Sequence, residues 1–331
     1  MSKIEDFYSS LPGKTLAKNY LINGNFDIWQ RGTNQSTSGY GSADRWYCHN
    51  IGTTKVHSRQ SFTLGQTDVP GNPRYYSRTV VTSVAGANSL CQMYQPIESV
   101  LSLAGKTATL SFWAKADAAK TIAVRITTIY GTGGSPTATP LSLVQNVLLN
   151  TSWQKFTLTY DIPTIPSGTV LGTDNNDRRD VVFCFDAGTD YSHWGIGQQS
   201  GTFDIAQVQL EEGSDATEFE KRTTNEELYS CQRYFQKAGM LYGFVVNSTT
   251  ISMHYSAIRE FRAYPVATLP TTSLTAESPP WAFFKYSTGS ALGSAHIVST
   301  AAFDVTVSGF TGLTANSSAS LYPHIWFDAE I

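Results

Sequence analysis

At 331 residues the chain is long enough for two domains and a sizeable buried core. Only 15% of it is charged and the formal net charge is -3, so there is no basic field to draw a phosphate backbone, and nucleic acid is set aside as a partner. No segment approaches the ~20 apolar residues of a bilayer-spanning helix, so no membrane insertion is expected.

The N-terminal MSKIEDFYSSLPGK carries Glu5 and Asp6 and lacks an apolar h-region. It does not read as a secretory signal, and residues 1–18 are expected to form a short arm on a soluble protein made in a cytoplasm. NYLINGNFDIWQRG follows, from Asn19 to Gly32. A turn signal, Asn23-Gly24-Asn25, stands before Phe26-Asp27-Ile28-Trp29, an unusual way to open a first strand.

Alternation dominates from there. In KTATLSFWAKA, Ala108, Leu110, Phe112 and Ala114 share one face, leaving Trp113 on the polar side, which is the period of a half-buried strand. Ile122, Val124 and Ile126 repeat the pattern, as do Phe156, Leu158 and Tyr160, and then Val181, Phe183 and Phe185. Gly, Pro, Ser and Asn clusters such as GTGGSPTATP separate these runs, so the expected architecture is an antiparallel sandwich or barrel. In TFDIAQVQL the apolar phase slips by one residue, which places a β-bulge near Asp204 to Ala206.

One segment breaks the alternation. After Thr223, Leu228, Cys231 and Phe235 recur at three and four residues, and Thr224 with Glu227 fits a capping box, so a helix is expected over 223–237. The acidic, turn-rich EEGSDATEFEKR before it places a domain boundary near residue 222. The expected order is a β-sandwich over 19–222, the linking helix, and a smaller C-terminal β domain over 238–331.

Catalytic signatures are missing. The six histidines form no H-x-H, H-x-x-x-H or H-E-x-x-H, and there is no G-x-S-x-G or P-loop. The acidic DNNDRRD run, Asp174 to Asp180, has Arg178 where a calcium loop needs an oxygen ligand, so it reads as a solvated turn with local charge pairs. Cys48, Cys91, Cys184 and Cys231 are widely spaced and read as buried, reduced thiols. Aromatics are the stronger feature, at 12% of the chain. Most belong in the core. Trp46 and Tyr47, Trp113, Trp194 and Trp281 fall on polar phases or in loops, where a ring can stack on the apolar face of a sugar or seal an interface.

Taken together, NYLINGNFDIWQRG, SADRW, SFWAKA, and FDIAQVQLEEGSDATEFEKR followed by CQRYFQK resemble appendage proteins of tailed bacteriophages over roughly residues 17–237. The terminal REFRAYPVATL and WFDAEI look similar to the ends of such fibre proteins. The resemblance implies an all-β chain with an N-terminal jelly roll like that of carbohydrate-binding modules, followed by a short β domain. It further implies a structural calcium between the first and last strands, with Asn25, Asp27 and Asp204 as the matching ligands. The alternative for those residues is that their side chains bond the turn backbone.

The expected function is a virion component, a tail fibre or adhesin, that binds host surface polysaccharide without catalysis. Trp113, Trp194 and Trp281 are the expected stacking residues, and the expected partners are other virion proteins within a homotrimer. Two alternatives stay open. One is a virion structural subunit without glycan binding, at the head, neck or baseplate; the other is the accessory part of a polysaccharide depolymerase.

Overall fold

The structure, a computed structural model, describes residues 18–331 apart from 141, 143, 240, 269–272, 278–283, 289–290, 298–299, 312, 314 and 323–324. The expected N-terminal arm and Trp281 therefore lie outside the described residues, the arm but for Lys18. The chain divides into two compact units, residues 1–227 with 331, and residues 228–330.

The first unit is built from β1 (Asn34–Gln35), β2 (Tyr47–Ile51), β3 (Thr54–Ser61), β4 (Tyr75–Thr82), β5 (Leu90–Glu98), β6 (Thr107–Ala116), β7 (Lys120–Ile129), β8 (Val144–Leu149), β9 (Gln154–Asp161), β10 (Arg178–Ala187) and β11 (Gly201–Glu212). They form a six-stranded sheet, β1-β3-β4-β11-β6-β9, and a five-stranded sheet, β2-β5-β10-β7-β8. This is an all-β jelly-roll sandwich. Ala108, Leu110, Phe112 and Ala114 from one sheet meet Ile122, Val124, Ile126, Val181, Phe183 and Phe185 from the other in one core, as the alternation requires.

The opening stretch is not a strand. Residues 19–31 run as largely buried coil, and much of their backbone is satisfied by side chains, amides above all. Asn23 is fully buried at φ +58°, donates to the carbonyls of Ile28 at 2.8 Å and Asp44 at 3.0 Å, and accepts the Ile28 N–H at 2.9 Å. The Asn19 side chain donates to the Val208 carbonyl and accepts from the N–H groups of Leu21 and Leu210, all at 3.0 Å. Trp46, read from the sequence as a loop ring, is buried at 0% exposure and donates to the Asn23 carbonyl.

The bulge on β11 lies two to three residues later than the sequence placed it. Asp204, Ile205 and Ala206 stay in register with Lys115, Ala114 and Trp113, and the shift falls between Ala206 and Gln209, where Gln207 takes φ +49°. A left-handed residue absorbs the extra position, so Phe203 and Ile205 before it and Val208 and Leu210 after it all reach the core. Gly24 packs against this bulge. A Cβ there would lie 2.1 Å from the Val208 carbonyl oxygen, which is why the turn carries glycine.

The expected helix is shorter. Helix α1 spans Thr224–Cys231, and the residues after it become strand β12 (Phe235–Ala238). Thr223 and Glu226, one position earlier than expected, form the reciprocal capping pair, the Thr223 N–H donating to Glu226 at 2.9 Å and the Glu226 N–H to the Thr223 hydroxyl at 3.3 Å. Glu227 instead reaches back and accepts the Asn23 N–H.

The second unit continues with β13 (Leu241–Asn247), β14 (Thr250–Ser256), β15 (Val266–Thr268), β16 (Ser273–Glu277), β17 (Phe284–Thr288), β18 (Ala291–Ile297), β19 (Ala302–Ser308), β20 (Ser318–Tyr322) and β21 (Ile325–Asp328). Its sheets run β12-β21-β15 and β17-β16-β20-β13-β14-β19-β18, around a separate core that includes Val245, Ile251, Met253, Val305, Val307 and Phe327. All four cysteines are buried free thiols.

His57 sits in the first unit's interior, its ring stacked on Trp29 at 5.7 Å and its Nδ1 3.1 Å from the Thr79 hydroxyl. Burial, aided by nearby Lys55, pushes its imidazole down to about 3 from the ordinary 6.5. The folded value lies below the unfolded one. The neutral ring's contribution to stability is therefore complete above about pH 6.5 and drains away as pH falls toward 3. Between pH 6.5 and 4.5 wild-type protein should lose about 2–3 kcal/mol more than His57→Gln, by denaturant unfolding at each pH. Parallel pH curves for the two proteins would contradict this assignment.

Candidate functional site

A concave site of about 240 Å³ opens on the outer face of the six-stranded sheet, and Trp113 is in its wall. Trp113 points outward because its strand neighbours Phe112 and Ala114 point to the core, and it is only partly covered. It pairs in register with Ala206 on β11 and Lys155 on β9. Gln207, the bulge residue, lines the site beside it and donates to the Pro70 carbonyl at 2.7 Å, which holds the 70–71 loop as a second wall.

The third wall is a strap, residues 217–221, that returns along β11. Glu211 accepts the Thr217 N–H at 2.9 Å and its hydroxyl at 2.6 Å, and Gln209 accepts the Glu220 N–H at 2.7 Å. Both hooks are buried. They hang the strap so that Glu218, Phe219 and Lys221 face the cavity. Arg222 closes the strap onto the N-terminal coil, donating to the Asn19 carbonyl at 2.6 Å, while Glu220 accepts the Asn19 N–H at 2.7 Å. The acidic FDIAQVQLEEGSDATEFEKR run is thus a set of hooks.

Asn25 completes the site from below. It is buried, its amide donates to Asp27 at 2.8 Å, and its Oδ1 has no hydrogen-bond partner among the described residues. Burial raises the Asp27 carboxyl above its ordinary value, against the lowering effects of the Asn25 amide, Lys221 and Arg74. The lining therefore combines one indole and one phenyl ring with amides, two ammonium groups and a carboxylate. Such a mixture suits a ligand with one apolar face and many hydroxyls.

The side chains expected from the resemblance as calcium ligands take other partners in this structure. Asn25 and Asp27 bond each other, whereas Asp204 is gripped by Arg78 through two hydrogen bonds of 2.7 and 2.8 Å, with Lys115 at 3.9 Å. Asp204 sits on the outer face between those two cations because β4 and β6 place them directly opposite it. Among the described residues no three acidic, His or Cys side chains converge as a metal site.

Trp194 does not offer a stacking face. It is 1% exposed, at the end of the short 3₁₀ turn Thr189–Trp194, and packs with Leu90, Ala123, Val182 and Cys184. Its remaining face carries the Arg125 guanidinium, 3.9 Å from the ring centre. Polarity of the surrounding loop suggested exposure; the five-stranded sheet's outer face covers the ring instead. Sequence reasoning also missed Trp153, which with Phe62 and Tyr76 forms a partly exposed ring cluster, centroids 4.7 to 5.3 Å apart, on the same sheet as Trp113. The signal for it is the Trp153 position directly before β9, whose residues alternate beside Trp113.

No family model matches the chain, and no curated protein matches it by sequence. Among solved structures it is similar to the tailspike protein 4 enzymatically active domain of bacteriophage CBA120, at 15% identity and TM-score 0.37 over 59% of this chain and 21% of that one. It is also similar to the family 11 carbohydrate-binding module from Clostridium thermocellum in complex with a β-1,3-1,4-mixed-linked tetrasaccharide, at 13% identity and TM-score 0.33 over 56% of this chain and 98% of that one. The third is TmCBM61 in complex with β-1,4-galactotriose, at 12% identity and TM-score 0.35 over 60% of this chain and 100% of that one.

Because Arg78 occupies both oxygens of Asp204, adding calcium or a chelator should leave the melting temperature of the first unit unchanged within a degree or so, whereas Asp204→Ala should lower it by strandng Arg78 among its neighbours. Calorimetry with and without chelator checks this. A calcium-dependent rise of several degrees would support the three-residue metal site.

Proposed function

We propose that the chain is a non-catalytic glycan-binding component of a tailed-phage virion, a tail fibre or adhesin, that holds host surface polysaccharide. The observation that carries the binding part is the Trp113 site: a ring on the outer sheet face, set in a cavity whose other walls carry amides, ammonium groups, a carboxylate and a phenyl ring. The ring takes the apolar face of a sugar, and Lys155, Lys221, Glu218, Gln207 and Ser111 take its hydroxyls. The virion setting rests on the resemblance of the sequence to phage appendage proteins. Weak single-site binding of this kind is made effective by several copies, which favours the homotrimer among other virion proteins.

A second reading, a virion subunit that serves assembly alone, is favoured by a stripe on β13 of the second unit. Tyr242, Phe244 and Val246 alternate outward there and are 64%, 54% and 43% exposed. An apolar row of that kind fits contact with another chain.

Binding of the purified protein to an array of bacterial surface polysaccharides tests the proposal. Saturable binding is expected, weakened about tenfold by Trp113→Ala, a loss of roughly 1.4 kcal/mol, without release of reducing ends. Binding to none of the glycans would favour the assembly reading, and release of reducing ends would favour a depolymerase.

A further inference from the structure

The outer face of the five-stranded sheet carries a separate groove, also about 240 Å³, that the Trp113 site does not use. Its floor follows from strand register. Arg125 on β7, Val182 on β10, Tyr94 on β5 and Tyr47 on β2 stand in one row across the sheet, and Thr127 and Asp180 stand in the next. All point outward, because Val124, Ile126, Val181 and Phe183 between them fill the core. Tyr94 lines one end of the groove, with Tyr47 stacked against one face of its ring at 4.9 Å.

The other end is cationic and incompletely satisfied. The Arg125 guanidinium carbon stands 3.9 Å from the ring centre of the buried Trp194, which holds it in place, and its buried Nε has no hydrogen-bond partner among the described residues. Thr127, two residues along the same strand and 8% exposed, has a buried hydroxyl that likewise has no partner among the described residues. Both side chains line the groove. Arg178 completes the cationic set, though its Nε is spent on Asp180 at 3.0 Å. Two arginines thus face one carboxylate. Buried polar groups in folded proteins are ordinarily paired, so two unsatisfied atoms on side chains that line one groove point to a missing acceptor there.

We propose that this groove binds a sugar carboxylate: a uronic-acid unit of an acidic polysaccharide, with its carboxylate on Arg125 and Thr127 and its ring over Tyr94. A planar, fixed guanidinium matches a carboxylate through two parallel hydrogen bonds, and the hydroxyl of Thr127 donates a third. Trp194 acts one layer behind the ligand as a positioning residue for Arg125. The choice of a sugar as the carrier of the carboxylate rests on the glycan reading above; the anion site itself does not.

Titration calorimetry with an oligogalacturonate and with a neutral oligosaccharide of the same length tests this on the full chain. The acidic ligand should bind, and Arg125→Met and Thr127→Val should each weaken it, the former by about tenfold or more. Both ligands are titrated in a Trp113→Ala background, which removes the other site, and the acidic one should still bind there. Thr127→Val is nearly isosteric and keeps the test open where the arginine variant fails to fold. Equal binding of the neutral oligosaccharide, equal competition by inorganic sulfate, or full binding by a folded Thr127→Val and Arg125→Met pair would each overturn the proposal. Neutral glycans binding through Trp113 while no acidic one binds would overturn it and leave the glycan reading standing.

Discussion

The first unit depends on how a length of non-repetitive backbone is buried against a bulge. Residues 19–31 form no ladder, yet Leu21, Phe26 and Trp29 belong to the core. A buried peptide group without a partner costs about 1–3 kcal/mol, so a buried coil is tolerable only if something else supplies its hydrogen bonds. Asn19 and Asn23 do so, because a carboxamide offers both a donor and an acceptor and can mimic a strand edge. Asn19 in particular serves the interruption on β11, bonding the carbonyl of Val208 and the N–H of Leu210 on either side of Gln209. Coil and bulge each leave backbone groups that the other completes.

The candidate site inherits its shape from that arrangement. The extra residue of the bulge is Gln207, which stands in the cavity wall; the strap that forms the opposite wall hangs from Gln209 and Glu211, the next outward positions after it. Asn25, contributed by the coil, lines the same cavity. Three segments, 19–31, 207–211 and 217–222, the first far in sequence from the other two, are therefore tied together by buried hydrogen bonds. The ligand face is set by strand phase and buried bonds, with little left to loop motion.

Much of the fold was legible because period-two alternation reports directly which side of a strand meets the core. It identified the inward residues of β6, β7, β9 and β10, and with them the outward aim of Trp113. The same rule does not report what lies above the outward face. Trp194 sits under Arg125 and the sheet's own surface, and Trp46 under the N-terminal coil, so polarity of their neighbours misled in both cases. The helix was read too long because spacings of three and four through Phe235 are equally met by a short helix followed by a strand, and pairing with β21 decides between them. The phase slip in β11 was visible, but its position was not, since Gln207 at positive φ leaves no apolar mark. Asp27 and Asp204 looked equivalent as carboxylates; only cross-strand register shows that Arg78 and Lys115 flank the second. The unpaired Thr127 and Arg125 are products of packing and have no sequence signature.

Amide hydrogen exchange at Leu21, Ile28, Val208 and Leu210 tests the central claim most directly, since their N–H groups are bonded by Asn19, Asn23 and the Gly24 carbonyl. The account predicts protection equal to that of the core strands, with exchange only through unfolding of the whole unit. Exchange of these amides at the rate of exposed loops, while β6 and β10 stay protected, would show that the coil is a surface covering and that the site's frame rests on something else.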